Sequence, residues 1–188
     1  MNRNAYVWKI AYLLAAGGVW LLDQASKAWA ARHLRFTGEP YVVIPGFLNF
    51  DYAENNGVAF SQLQNGGDTG WIALSALASL AALAVLYFFW RTPRSDDRIL
   101  GACALLLAGI TGNLADRLSF KFVIDFIDVQ FWGWHYPTFN VADSAICIGA
   151  GLLLLDMFLN SRKKKAEEKV EEKVEEKAAA GEQTAAGN

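Results

Sequence analysis

Trp71-Ile-Ala-Leu-Ser-Ala-Leu-Ala-Ser-Leu-Ala-Ala-Leu-Ala-Val-Leu-Tyr-Phe-Phe-Trp90 runs for 20 residues without a charge. At about 1.5 Å per helical residue, such a run covers the roughly 30 Å hydrocarbon core of a bilayer. Tryptophan at each end suits the membrane–water boundary, where an amphipathic ring has both its solvents. Three more apolar runs flank it, at 10–22, 99–115 and 139–159, the last broken only by Asp143 and Asp156. Together they predict an all-α membrane protein of four transmembrane helices, with a domain over 1–160.

Composition agrees. The 188 residues are 54% hydrophobic and 19% charged, with 7 Trp, 6 Tyr and 12 Phe. The segment from Arg162 onward takes 7 basic and 7 acidic residues out of chain totals of 17 and 19, so the body is poorer still in charge. That body is neither a disordered chain nor an ordinary soluble domain, and a net charge of -2 gives no attraction for nucleic acid. Cys103 and Cys147 lie inside apolar runs and are expected to be buried small hydrophobes. The tail over 161–188 repeats Glu-Glu-Lys and is expected to be a solvated helix or disordered. The first run could serve as a cleaved signal, but Asp23, Gln24 and Lys27 would then occupy its cleavage region.

Lysine and arginine set the orientation. Arg91, Arg94 and Arg98 crowd a short link, Arg3 and Lys9 precede the first run, and Arg162 to Lys165 follow the last. Basic residues stay on the cytoplasmic side, so both termini are expected there and the two long links on the outer face. The first long link holds Tyr41-Val-Val-Ile44 and Phe47-Leu-Asn-Phe-Asp-Tyr52, broken at Pro45-Gly46. These read as short strands in a small β-rich extracytoplasmic insertion over about 36–66.

Threading this topology brings polar groups together. Asp23 is expected to end the first helix, Asp116 to end the third, and Asp143 to begin the fourth. All three, with Asp125, Asn55, Asn113 and Asn140, then lie at the outer interface. Ionisable groups at that depth are costly and mark candidate sites. His33 and His135 are isolated and make no metal motif, and no Gly-x-Ser-x-Gly elbow is present. Neither a metal nor a cofactor is expected. Two close carboxyls can share a proton, one activating water while the other donates to a carbonyl oxygen. The supply of aspartates permits such a pair, but their spacing does not choose it.

Five motifs occur in order: Asp23-Gln-x-Ser-Lys27, Asn55-x-Gly-x-Ala-Phe-Ser61, Gly112-Asn-x-x-Asp-Arg117, Asp125-Phe-Ile-Asp128 and Phe139-Asn-x-Ala-Asp143. Over residues 10–160 the chain resembles the bacterial lipoprotein signal peptidases (signal peptidase II), aspartic endopeptidases of the inner membrane. The resemblance implies a diacylglyceryl-modified prolipoprotein as substrate, cut before the lipid-modified cysteine, with membrane lipid around a monomeric enzyme. It implies Asp125 and Asp143 as the catalytic pair. Asp23, Lys27, Asn55, Gly57, Asn113, Asp116, Arg117 and Asn140 are the expected binding or support residues. Asp116 and Arg117 read equally as an ion pair or as substrate contacts, and Asp128 reads as structural. Two rivals stand beside this reading. One is a proton-coupled transporter using the same aspartates; the other is a Ser/Lys hydrolase built on Ser26, Ser61 and Lys27.

Overall fold

The computed structural model describes residues 3–57 and 69–162. The chain runs α1 (Arg3–His33), β1 (Tyr41–Ile44), β2 (Leu48–Asn55), α2 (Thr69–Arg91), α3 (Asp97–Phe120), β3 (Val123–Phe131), β4 (Trp134–His135) and α4 (Val141–Arg162). Residues 58–68, and with them Ala59, Phe60 and Ser61, lie outside the described residues, as does the tail from residue 163.

Three helices, α2, α3 and α4, are long and apolar enough to cross a membrane. The helix α1, which carries Lys9, Asp23, Lys27 and Arg32, is not one of these three. Its charges also mislead about its length. Asp23 does not end α1, which continues to His33, and Asp116 lies a turn inside α3, which continues to Phe120. Helix propagation rests on backbone hydrogen bonds, so a charge does not of itself end a helix, and within a bundle it is tolerated where the side chain is paired. Both of these carboxylates are paired.

Helix α3 is the centre of the bundle: 56% of its apolar window is buried, against 11% for α2 and 22% for α4. Ala16 of α1 packs on Ala104 and Ala108, and Phe89 of α2 on Leu100 and Cys103. Against α4, glycines set the spacing. A Cβ on Gly109 would collide with the Ala142 carbonyl and Ile146, and one on Gly149 with the Ala102 carbonyl at 2.9 Å. Cys103 is buried as expected, but Cys147 is exposed, because α4 turns an apolar face outward instead of burying it.

One end of the bundle is basic. The Lys9 ammonium donates to the Phe89 and Trp90 carbonyls at 3.1 and 2.7 Å, capping the C-terminus of α2. Arg94 lies 4.7 Å from the Trp8 ring, and Arg98 pairs with Asp156 of α4 at 3.5 Å. These contacts place the start of α1, the α2–α3 link and the last third of α4 side by side.

At the other end sits a four-stranded antiparallel sheet in the order β1-β2-β3-β4. The sheet is larger than the 36–66 insertion, since β3 and β4 come from the α3–α4 link. The β-branched and aromatic residues of Val123-Ile-Asp-Phe-Ile-Asp-Val-Gln-Phe131 are a strand signal that its two aspartates obscure. Trp29 and Ala30 on the last turns of α1, with Leu34 just beyond it, pack against Phe50 and Phe126. This contact docks the sheet on the helices, so α1 acts as both bundle helix and sheet support.

Candidate functional site

The sheet and the helices meet around three asparagines. Asn140 precedes α4 and makes a reciprocal cap with Asp143. Its Oδ1 accepts from the Asp143 N–H at 2.8 Å, while the Asp143 carboxylate accepts from the Asn140 N–H at 3.3 Å. That leaves the Asn140 amide free to donate to Asp125 Oδ1 at 2.7 Å. One buried asparagine therefore touches both carboxylates, one on a strand and one on a helix. Asn113 of α3 donates to the other side of Asp143, Oδ1, at 2.7 Å. Asn55, at the end of β2, donates to Asp125 Oδ2 at 2.9 Å.

Each amide is oriented by a partner that can only donate. The carbonyl of Asn113 faces the Lys27 ammonium at 2.9 Å, and that of Asn55 faces the Gly57 N–H at 2.8 Å. Gly57 has φ +77, and a Cβ there would strike Leu74 of α2. Only glycine combines that left-handed backbone with so close an approach.

Behind the asparagines lies a buried ion cluster. Lys27 is 1% exposed and pairs with Asp23 at 2.9 Å and Asp116 at 3.0 Å. Asp23 also accepts from the Ala142 N–H at 2.8 Å, satisfying a first-turn donor of α4, and Asp116 accepts from the Ile124 N–H at 3.1 Å. The cluster thus ties α1, α3, β3 and α4 into one unit. Burying charges is tolerable because their oxygens and protons are matched. Gly112 belongs to the same packing, for a Cβ there would come within 2.7 Å of Asp23 Oδ2.

All ten expected site residues are brought into this one region. Asp116, read as a possible partner of Arg117, pairs with Lys27 instead. Arg117 reaches the Asn113 carbonyl at 3.5 Å. Gln24 was not among the expected residues, yet it contacts Asp23, the Gly112 carbonyl and Asp116 at 3.0–3.4 Å. Its place in Asp23-Gln-x-Ser-Lys27 was the available signal. Asp128 lies outside the cluster, bound to Asn49 and His135 within the sheet at 3.0 and 2.8 Å.

Asp125 is held well above its ordinary carboxylate value of 3.8, at about 6. Burial is the main cause, and the charge of Asp143 adds to it. The hydrogen bonds from Asn55 and Asn140 and the charge of Lys27 act the other way. Beside the pair opens a cavity of about 300 Å³. Leu74 and Leu77 of α2, Ile110 of α3 and Ile146 of α4 line it, with Asn113, Arg117 and Asp143 at its polar end. The arrangement offers an apolar chamber between helices with the Asp143 carboxyl at its polar end.

Known proteins share this chain's pattern. The sequence profile of the family described as Signal peptidase (SPase) II matches residues 15–159. A protein of Coxiella burnetii (strain RSA 493 / Nine Mile phase I) named lipoprotein signal peptidase is 42% identical over 165 residues, which are 87% of this chain and 96% of that protein. One of the same name from Alteromonas mediterranea is 40% identical over 158 residues, covering 83% and 85%. Among solved structures, a bacterial membrane enzyme determined by the in meso method at 1.9 Å superposes with a TM-score of 0.70 at 33% identity. That superposition covers 78% of this chain and 92% of the other.

Proposed function

The chain belongs to the signal peptidase II family, and from that premise we propose that Asp125 and Asp143 are the catalytic pair with which it removes signal peptides from lipoprotein precursors. It is an aspartic peptidase and a membrane enzyme. The observation that carries the assignment is Asn140, which holds one oxygen of each carboxyl group.

Asp125, raised to about 6 mainly by burial, suits the role of the acid, and Asp143 takes that of the base. Asp143 takes a proton from a water molecule as that water's oxygen bonds to the scissile carbonyl carbon. Asp125 gives its proton to the carbonyl oxygen. Collapse of the tetrahedral intermediate breaks the C–N bond, and a proton passes to the leaving amine. The asparagine amides hold both carboxyls in place, which spares the orientational cost of assembling them at each turnover. The substrate is a diacylglyceryl-modified prolipoprotein, cut before the modified cysteine. The apolar cavity beside Asp143 has the chemistry to take acyl or signal-peptide side chains, and Arg117 at its polar end suits a carbonyl or ester oxygen.

Helix α1 is the fourth span, its Asp23 and Lys27 neutralised inside the protein and not exposed to lipid. The enzyme sits as a monomer in the bacterial inner membrane with both termini cytoplasmic. The juxtaposition of Lys9, Arg94 and Arg98 supports a cytoplasmic basic end, which leaves the pair at the outer face. The transporter alternative finds no support in the comparisons, and Asp156 is tied to Arg98 at the opposite end of the bundle. The Ser/Lys alternative lacks a base, since Lys27 is engaged by two carboxylates and the Ser26 hydroxyl donates to the Asp23 carbonyl.

Cleavage of a diacylglyceryl prolipoprotein by the reconstituted protein tests the assignment. Asp125→Asn and Asp143→Asn should each lower kcat by about 10²–10⁴-fold with circular dichroism unchanged. Wild-type rates in either variant would remove that residue from the pair.

A further inference from the structure

The β3–β4 hairpin ends in Phe131-Trp132-Gly133-Trp134, and the strands close at Phe131↔Trp134. Trp132 has φ +48 and Gly133 φ +82, the positive pair that a two-residue type I′ turn requires. Glycine, asparagine and aspartate fill that first position at little strain, whereas a bulky tryptophan held there is strained. Among the described residues nothing repays this, since Trp132 is 101% exposed. A large aromatic placed in a strained conformation and pointed away from the molecule calls for a contact outside it.

The neighbours identify the contact. Phe131, Trp134 and Tyr136 are 44, 60 and 51% exposed, and no Lys, Arg, Asp or Glu occurs between Asp128 and Asp143. Tryptophan and tyrosine without charge favour the bilayer interface, where the ring meets acyl chain and the N–H or O–H meets headgroups. His135, the one group in that stretch that titrates near neutral pH, is bound to Asp128 at 2.8 Å, so the tip offers little charge to a charged protein partner or to anionic lipid. The hairpin is also tethered to membrane-capable helices on both sides. Helix α3 ends at Phe120, just before β3, and α4 begins at Val141, five residues after Tyr136.

We propose that the Trp132–Gly133 tip is a membrane-surface anchor, inserting Trp132 and Trp134 into the interface of the leaflet on the sheet's side of the bilayer. The occupant is lipid, bound through aromatic and apolar contact. Because β3 also carries Asp125, the anchor fixes the height of one catalytic carboxyl relative to the bilayer that delivers the substrate. The anchor rests on the reading that the helices span the membrane. It does not need that of Asp125 and Asp143 as catalysts, and its principal test does not use activity.

Full-length protein with Cys103 and Cys147 replaced by alanine receives Trp132→Cys or, as a control on the exposed α1–β1 link, Glu39→Cys. Each cysteine is labelled with an environment-sensitive fluorophore and the protein reconstituted in zwitterionic phosphatidylcholine vesicles. Expected is quenching of the 132 label by shallow spin-labelled lipid and shielding from aqueous iodide, unchanged between low and high salt, with the 39 label iodide-accessible. Equal iodide access at 132 and 39 would overturn the proposal. So would shielding at 132 that arises only when prolipoprotein is added, which would make the tip a substrate contact. Trp132→Asn, which suits the turn better, keeps the hairpin while removing the ring. It should raise KM for vesicle-borne prolipoprotein several-fold with kcat within twofold, and an unchanged KM would count against the anchor.

Discussion

Asn55 touches the pair from the sheet side, and its effect on Asp125 can be read in a pH profile. Asp125 must hold a proton to act as the acid, so kcat/KM falls as pH rises through about 6. Asn55 donates to the ionised form of Asp125 and so pulls its value down. Asn55→Leu removes that donor without adding charge. The basic limb of the profile should move to higher pH, by about one unit, in a cleavage assay run from pH 4.5 to 8. A limb that stays in place would mean that Asn55 does not control the acid. Folding stability carries the same sign. Between 3.8 and about 6 the native carboxyl binds more proton than the unfolded one, so stability declines across that window as pH rises.

Among the elements, the contact between α3 and α4 has the least slack. Gly109 lies against the Ala142 carbonyl and the Ile146 backbone and side chain, and Ala142 in turn donates to Asp23. A methyl group at 109 has to push α4 away, and α4 carries Asn140 at its start and Asp143 in its first turn. Gly109→Ala should therefore lower thermal stability in detergent by about 1–3 kcal/mol and reduce kcat with it. Gly101→Ala, on the same helix with only Tyr12 near at 3.9 Å, should do neither. Equal behaviour of the two variants would show that the close approach is not needed. The elements themselves were unequally legible in the sequence. The apolar runs announce α2, α3 and α4, because a bilayer demands uninterrupted hydrophobicity. The ends of α1 and α3 were hidden, since whether Asp23 or Asp116 terminates a helix depends on Lys27, which is distant in sequence from Asp116. Strand β3 was hidden for a similar reason. Its aspartates look like loop chemistry until Asn49, Asn55 and Asn140 are seen to cover them.

At the scale of the whole molecule, charge is sorted between the two ends. Lys9, Arg94 and Arg98 gather at one end, and the sheet with its carboxylates stands at the other. Four spans and a cytoplasmic basic end require that Glu39→Cys react with an impermeant maleimide added to intact cells whose outer membrane has been opened. A cysteine replacing Ser95, in the α2–α3 link, should react only after lysis. The reverse pattern would invert the protein, and reaction of both from one side would remove a span. That the ten candidate residues gather in one region was legible from order and motif, and the hydrogen bonds that join them were not. Hydrogen-bond donors such as the Gly57 and Ala142 N–H groups belong to the backbone and leave no mark on residue identity.

The two carboxyl groups of the pair reside on different kinds of element, Asp125 on a strand and Asp143 on a helix. Neither element holds a complete set of reacting groups, and Asn140 can join them only once the sheet has docked. On the proposed assignment, a chain whose sheet has not docked would hold the two carboxyls on separate elements, without the Asn140 link between them. Docking of the sheet on the helices is then the event that completes the proposed pair.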